Sequence, residues 1–130
     1  MGPAILELPY IDLAQAARHF AYEPRLALLD SAMGHPTLGR WSYLAYRPSG
    51  VFQAWRRHSA WNGAKQDGPP LAVLRARLAE RRREIAPGGP PFQGGAIGHF
   101  TYEPGALFEP ALSGPSDGPL IDLAFYDTLL

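Results

Sequence analysis

Apolar residues recur at helical spacing in two stretches of the chain. In the first stretch they follow Asp12, and Gln15 stands three residues after that aspartate, as in a capping box. In the second stretch a pair of prolines at 69–70 precedes apolar residues that share one helical face: Leu71, Leu74, Leu78 and Ile85. The spacing predicts one helix over about 13–20 and another over 69–85.

Short β-prone runs lie between turns rich in glycine and proline, at 25–30, 41–46, 51–55, 92–102 and 121–126. The first run predicts a buried strand ending at Asp30. The second and third predict neighbouring antiparallel strands, and 59–62 is a candidate third. The glycine-rich run 92–102 predicts a strand that another backbone or a ligand approaches closely.

These elements predict an α+β fold, in which the two helices pack outside a mainly antiparallel sheet layer. With 130 residues, 46% of them hydrophobic, the chain has enough apolar material for one core, so a single domain over 1–130 is expected. The chain stops at Leu130 directly after the last predicted strand. We expect from this abrupt end that it is the truncated part of a larger protein.

Composition and charge exclude several function classes. Twelve basic residues balance twelve acidic ones, so no overall field would gather nucleic acid or an anionic membrane. The absence of cysteine removes thiolate catalysis and thiolate metal sites. Since no signal peptide or long apolar run is found, the sequence predicts a cytoplasmic protein that contacts neither nucleic acid nor membrane.

Most residue clusters that could carry chemistry have a simpler structural interpretation. The four histidines are scattered without metal-ligand spacing, and the serines lack a nucleophile-elbow motif, so no metal or catalytic residue is predicted. Glu80 and Glu84 are interleaved with the run of arginines that begins at Arg75, which predicts a solvated helix face in preference to a nucleic-acid site. The segment Gly94–Gly98 lacks the lysine ending of a phosphate loop and predicts close strand packing.

Asp30 and Ser31 form the most informative polar pair. They follow an apolar run, so a carboxylate and a hydroxyl would stand side by side at a strand end. Such a pair can hold an ammonium group, and it can equally serve as a turn cap. From the residues alone, the two interpretations are equally well supported.

Three segments in order give the chain a recognisable pattern: Leu28–Ala32, Gly39–Leu44 and Pro91–Glu103. Together they resemble the N-terminal region of aminodeoxychorismate synthase (para-aminobenzoate synthase) component I and of its relative, anthranilate synthase component I. The resemblance continues through Glu109 to Asp127. Asp30 before Ser31 favours the aminodeoxychorismate enzyme, because the anthranilate relative more typically carries glutamate there, and the anthranilate relative remains the alternative.

The resemblance implies a role in folate biosynthesis. In that family the full-length protein is a transferase that aminates chorismate to 4-amino-4-deoxychorismate. A larger C-terminal portion binds chorismate and magnesium, and a glutamine amidotransferase component is the partner. None of the catalytic motifs of that portion occurs here. The chain alone is therefore expected to be inactive, without a cofactor of its own, and to self-associate through a sheet face that normally packs against the missing portion.

The resemblance also implies a pocket for a tryptophan-like small molecule within one part of the family's β-sandwich. The residues that match this pocket, or lie near it in the motifs, are Asp30, Ser31, Arg40, Ser42, Pro91 and Phe92. Asp30 would pair with the ammonium, Arg40 or backbone amides with the carboxylate, and Phe92 would line the apolar slot. A stand-alone amino-acid-binding module and a purely structural domain are the other function classes.

Overall fold

The computed structural model describes residues 2–101 and 118–130. In this part of the chain the backbone forms helices and antiparallel strands, which confirms the predicted α+β class. The elements in chain order are α1 (Leu13–His19), β1 (Ala27–Leu29), β2 (Tyr43–Ala45), β3 (Gly50–Ala54), β4 (Ser59–Trp61), β5 (Ala64–Gln66), α2 (Pro70–Glu80), β6 (Gly95–Phe100) and β7 (Ile121–Tyr126). Over the described ranges neither helix has the length and apolarity needed to cross a membrane.

The chain divides into two compact units. The first contains Met1–Pro48, Arg83–Gly94 and Tyr126–Leu130, and the second contains Ser49–Arg82 and Gly95–Phe125. A two-stranded sheet of β1 and β2 lies in the first unit. The second unit contains a five-stranded sheet in the order β5-β4-β3-β7-β6, except that Tyr126, the last residue of β7, belongs to the first unit. The sequence predicted one sheet layer, whereas the residues that the structure describes form two sheets.

In the first unit, Asp12 caps α1 as predicted. Its carboxylate accepts hydrogen bonds from the backbone N–H groups of Ala14 (2.9 Å) and Gln15 (3.2 Å), which would otherwise lack partners at the start of the helix. The helix ends at His19, so the predicted bounds agree with the structure to one residue.

The two-stranded sheet of the first unit pairs Leu28 with Leu44 and Leu29 with Tyr43. The backbone of Leu44 also exchanges hydrogen bonds with Leu130 (2.8 and 2.9 Å), so β2 has neighbours on both sides. The prediction that β1 is buried is wrong: Leu28 and Leu29 are 37% and 45% exposed. Among the described residues β1 pairs with β2 alone, so one partner strand covers only part of its surface.

The second unit has a compact core on one face of its sheet. Leu74 of α2 packs against inward-facing residues of β3 and β7, and together these side chains form one buried cluster: Phe52, Ala54, Leu74, Ile121, Leu123 and Phe125. The two strands run antiparallel with Phe52 opposite Leu123. Alternate positions of each strand therefore supply the core, as the period of a half-buried strand requires.

The predicted pairing of strands 41–46 and 51–55 is wrong. The two strands lie in different sheets, β2 beside β1 and β3 between β4 and β7. The turn between them begins at Arg47, whose backbone has a positive φ of 51° and whose N–H bonds to the carbonyl of Pro24 (3.1 Å). Instead of pairing with each other, β2 pairs with β1, and β3 pairs with β4 and β7.

Strand β5 was not predicted, although the sequence carries its signal. Asn62 and Gly63 have positive φ values of 49° and 80°, and they connect β4 to β5 with Trp61 opposite Ala64. Asn-Gly is the preferred pair for the two-residue turn whose twist matches that of antiparallel strands. The segment 59–62 was therefore the first half of a hairpin.

Helix α2 ends at Glu80, five residues before the predicted end. The apolar positions that extended the prediction do not pack into the core, since Leu78 and Ile85 are 46% and 68% exposed. Most of the stability of a helix in a protein comes from packing its apolar face, so the helix stops where that packing stops. The N–H of Arg81 bonds to the carbonyl of Leu78 (3.2 Å) in a tighter final turn.

Close backbone approach explains the glycine-rich strand. A Cβ atom at Gly98 would overlap the carbonyl oxygen of Asp122 and the Cα of Leu123 on the neighbouring strand. The predicted close approach of another backbone is confirmed. The predicted end of this run, at residue 102, lies outside the described residues.

We predict that Gly98→Ala lowers the free energy of unfolding by about 1–3 kcal/mol, because the added methyl group meets rigid backbone atoms. Gly118→Ala is the matched control, since a Cβ there meets no atom of the described residues within 4 Å, and it should change the stability by less than about 0.5 kcal/mol. Urea denaturation followed by circular dichroism measures both values. Equal stabilities of the two variants would show that the close approach is absent in solution.

Candidate functional site

The candidate site lies where β1 ends and β2 begins. The two strands are antiparallel and Leu29 pairs with Tyr43, so Asp30 and Ser42, one residue beyond this pair on each strand, meet at the same end of the sheet. The Ser42 hydroxyl donates a hydrogen bond to Oδ1 of Asp30 (2.9 Å). Residues that are twelve positions apart in the sequence are thereby brought into direct contact.

Ser31 extends this contact into a hydrogen-bond network. Its backbone N–H donates to the Ser42 hydroxyl oxygen (2.9 Å), and its own hydroxyl donates to the backbone carbonyl of Trp41. Ser42 therefore accepts one hydrogen bond while it donates another. Both serine hydroxyls have structural partners, and we refer to Asp30, Ser31, Trp41 and Ser42 as the strand-end network.

The strand-end network presents a carboxylate that could bind a cation. The described residues place no histidine or lysine in hydrogen-bond contact with either hydroxyl, so neither serine has a partner that is normally used to activate a nucleophile. The Asp30 side chain is exposed, and only its Oδ1 atom is engaged by a described residue. A carboxylate in this setting can accept hydrogen bonds from a cation such as an ammonium group.

Phe92 belongs to a separate aromatic cluster with Tyr43. The two rings meet edge to face with centroids 5.5 Å apart, and the N–H of Phe92 donates to the Tyr43 hydroxyl (3.3 Å). The side chain of Gln93 fixes the preceding loop by bonding to the N–H (2.8 Å) and carbonyl (3.0 Å) of Ala86. Within the described residues no hydrogen bond or ring contact joins this cluster to Asp30.

Within the described residues, Arg40 and Pro91 make no hydrogen bond to the strand-end network or to the aromatic cluster. The Arg40 guanidinium lies 5.6 Å from the centre of the Trp41 ring, and its side chain is exposed. Pro91 is also exposed and makes no hydrogen bond within the described ranges. Of the six predicted site residues, Asp30, Ser31 and Ser42 are joined by hydrogen bonds. Phe92 packs against Tyr43, the first residue of β2.

Two residues of this region, Tyr43 and Trp41, were not predicted from the sequence. Tyr43 holds Phe92, and Trp41 supplies a carbonyl to Ser31. Tyr43 could have been found from the strand pattern, because it flanks Ser42 at the start of β2. A backbone carbonyl has no side-chain signature, so the sequence offers no signal for the role of Trp41.

The arginine run has a different role from the one predicted. Arg77 and Arg81 are half-buried, and their guanidinium groups lie 4.8 and 4.7 Å from the centre of the Trp61 ring. Arg77 also bonds to Gln66 (2.8 Å). The predicted solvated face therefore holds for the exposed residues of this run, whereas Arg77 and Arg81 stabilise the packing of α2 on β4 by cation–π contact.

Comparison with known proteins gives partial matches to one group of enzymes, although no family model matches the chain. The chain is 32% identical over 88 residues to anthranilate synthase component 1 of Mycolicibacterium smegmatis, covering 64% of this chain and 17% of that protein. It is 35% identical over 95 residues to the Streptomyces coelicolor protein of the same name, covering 70% and 16%.

A mitochondrial folate synthesis bifunctional protein of Arabidopsis thaliana is 41% identical over 51 residues, covering 39% of this chain and 9% of that protein. Among solved structures, anthranilate synthase component I from Streptococcus pneumoniae superposes with a TM-score of 0.58 and 26% identity, covering 75% of this chain and 22% of that one. The chain spans less than a fifth of the curated relatives it matches.

These matches define the chain as a partial homologue of anthranilate synthase component I and of a folate synthesis protein. Its fold is similar to part of anthranilate synthase component I. The resemblance found in the sequence is thereby confirmed.

We predict that Ser42→Ala lowers the free energy of unfolding by about 1–2 kcal/mol, because it leaves the Ser31 N–H without its acceptor. Asp30→Asn is the matched variant: the amide oxygen can still accept from Ser42, so the stability should change by less than about 0.5 kcal/mol. Urea denaturation of both variants tests the network. A Ser42→Ala protein as stable as the wild type would contradict it.

Proposed function

We propose that the chain is the N-terminal, non-catalytic portion of aminodeoxychorismate synthase component I. In its full-length form this component aminates chorismate to 4-amino-4-deoxychorismate, for para-aminobenzoate and folate synthesis. The partial homology to a folate synthesis protein and to anthranilate synthase component I supports a chorismate-utilising parent. The hydrogen bond between Ser42 and Asp30 is the observation that favours the aminodeoxychorismate enzyme over the anthranilate enzyme in this proposal.

The side chain of an aspartate at position 30 has the length that lets its carboxylate accept a hydrogen bond from Ser42. Its carboxylate accepts from the Ser42 hydroxyl at 2.9 Å, directly beyond the last paired residues of β1 and β2. A glutamate, which the resemblance associates with the anthranilate enzyme, would extend its carboxylate one methylene further and could not keep this geometry unchanged. The aspartate thus favours a structural role for the strand-end network over a high-affinity effector site.

The second candidate is the N-terminal portion of anthranilate synthase component I with a tryptophan effector pocket. It is favoured by the names of the relatives from M. smegmatis and S. coelicolor and of the solved S. pneumoniae protein. In this case the exposed Asp30 carboxylate would receive the ammonium group of the effector, and the Phe92 and Tyr43 rings would line the apolar side of its pocket.

Both candidates place the chemistry outside this chain. The partners are a chorismate-binding C-terminal portion and a glutamine amidotransferase component, in the cytoplasm. Magnesium belongs in this proposal to the chorismate-binding portion. What this chain contributes is a folded N-terminal layer and the strand-end network.

We predict that the chain alone forms no product from chorismate, ammonia and magnesium, because groups that would bind the substrate and transfer protons are supplied by the other portion. Chromatography after incubation should show no aminodeoxychorismate or anthranilate above a sample without protein. Product formed by the purified chain would contradict the non-catalytic assignment.

The choice between the two candidates is tested by adding separately purified C-terminal portions. One portion comes from an aminodeoxychorismate synthase and the other from an anthranilate synthase, each freed of its own N-terminal portion. Our proposal expects this chain to restore aminodeoxychorismate formation more strongly than anthranilate formation. Restoration of the anthranilate enzyme alone would establish the second candidate, and restoration of neither would contradict both.

The ligand role of Asp30 gives a separate prediction for the assembled enzyme. If tryptophan binds there, Asp30→Asn should weaken its affinity about ten- to hundredfold, because a charge-assisted hydrogen bond is lost while the acceptor for Ser42 remains. Asp12→Asn is the matched control, because the asparagine still caps α1. Isothermal calorimetry measures both variants, and an unchanged affinity in Asp30→Asn would remove this residue from the pocket.

A further inference from the structure

The loop that connects Ser31 to Trp41 contains a turn built around a histidine ring. Pro36 follows His35, and since proline has no backbone N–H, the first N–H groups after the histidine are those of Thr37 and Leu38. Both donate to Nδ1 of His35, at 3.2 and 3.1 Å. The histidine thus takes the part that asparagine or aspartate plays at the first position of such turns, where proline is favoured next.

This geometry fixes the protonation state of the ring. A backbone N–H can only donate, so Nδ1 must present its lone pair and the ring proton must lie on Nε2. The Thr37 hydroxyl lies 3.1 Å from the same nitrogen. A protonated imidazole carries hydrogen on both nitrogens and can accept from none of these groups, so the turn as observed requires the neutral ring.

The turn closes a loop whose two ends carry the strand-end network. Asp30 and Ser31 stand at one end of the loop, and Trp41 and Ser42 stand at the other. The loop also returns on itself closely at Gly39, where a Cβ would overlap the carbonyl oxygen of Met33. The conformation of the His35 turn therefore affects how the chain between the two halves of the network is held.

The charged side chains nearest to His35 along the chain have other contacts. Asp30 accepts from Ser42, and Arg40 lies over the Trp41 ring. Across the described ranges no charged or titratable side chain makes a hydrogen bond, ion pair or ring contact with His35. The groups that depend on its protonation are the two amides and the hydroxyl of its own turn.

We propose that His35 is a proton-sensitive latch for the loop between the two halves of the strand-end network. The neutral ring holds the turn closed through the amides of Thr37 and Leu38. Protonation removes the acceptor that these two amides share and places a donor against them, so the turn opens as the pH falls. Histidine is the side chain whose charge ordinarily changes between pH 5 and 8.

Nuclear magnetic resonance of the 130-residue chain tests the latch directly. At pH 8 the nitrogen shifts of the His35 ring should identify the Nε2–H form, with an unprotonated Nδ1. On lowering the pH to 5, the amide resonances of Thr37 and Leu38 should move with the same midpoint as the His35 ring protons. The protection of the Ser31 amide against hydrogen exchange should fall by about threefold or more over this range.

Two variants make the test specific. His35→Asn places a non-titrating acceptor close to the position of Nδ1, so its turn should stay closed at both pH values. His35→Ala lacks the acceptor, and its Thr37 and Leu38 amides should resemble those of the protonated wild type at pH 8 as well.

The proposal is overturned if the ring carries its proton on Nδ1 at pH 8, or if the Thr37 and Leu38 amides do not follow the His35 titration. A Ser31 amide that stays equally protected while the turn opens would refute the link to the network. These measurements need no chorismate or partner, so they succeed or fail independently of the proposed enzyme assignment.

Discussion

The antiparallel pairing of β1 with β2 is the constraint on which the candidate site depends. Because Leu29 lies opposite Tyr43, the next residue on each strand is brought to the same end of the sheet, and Ser42 can donate to Asp30. A shift of the register by one residue would turn the side chains of one strand to the other face and separate the two groups. The strand-end network is therefore a direct consequence of strand register.

The same pairing explains which parts of the site could be predicted. The position of Asp30 and Ser31 at a strand end follows from the apolar run before them, and both were predicted from the sequence. Their contact with Ser42 depends on a register that no local pattern specifies. The resemblance placed these residues in one region without showing that each serine hydroxyl already has a partner within the protein.

Two elements with a local cause were predicted well, whereas the Asn-Gly hairpin that forms β5 was missed despite its local signal, and elements decided by tertiary contacts were not predicted. The cap at Asp12 and the last strand, 121–126, follow from side-chain chemistry and from a β-prone run between turns, and both agree with the structure. The end of α2 depends on where the packing of its apolar face stops, so the apolar spacing placed it too late. β2 and β3 each pair with a strand distant in the sequence, with Leu44 opposite Leu28 and Val51 opposite Ala124, and no local pattern specifies such pairs.

A double-mutant cycle between Asp30 and Ser42 tests most directly whether strand register creates this site. The free energy of unfolding would be measured for the wild type, Asp30→Ala, Ser42→Ala and the double variant. Our account predicts that the two changes are not additive, with a coupling energy of at least about 0.5 kcal/mol, because each removes the same hydrogen bond. Additivity to within about 0.3 kcal/mol would contradict it, since the two side chains would then be energetically independent.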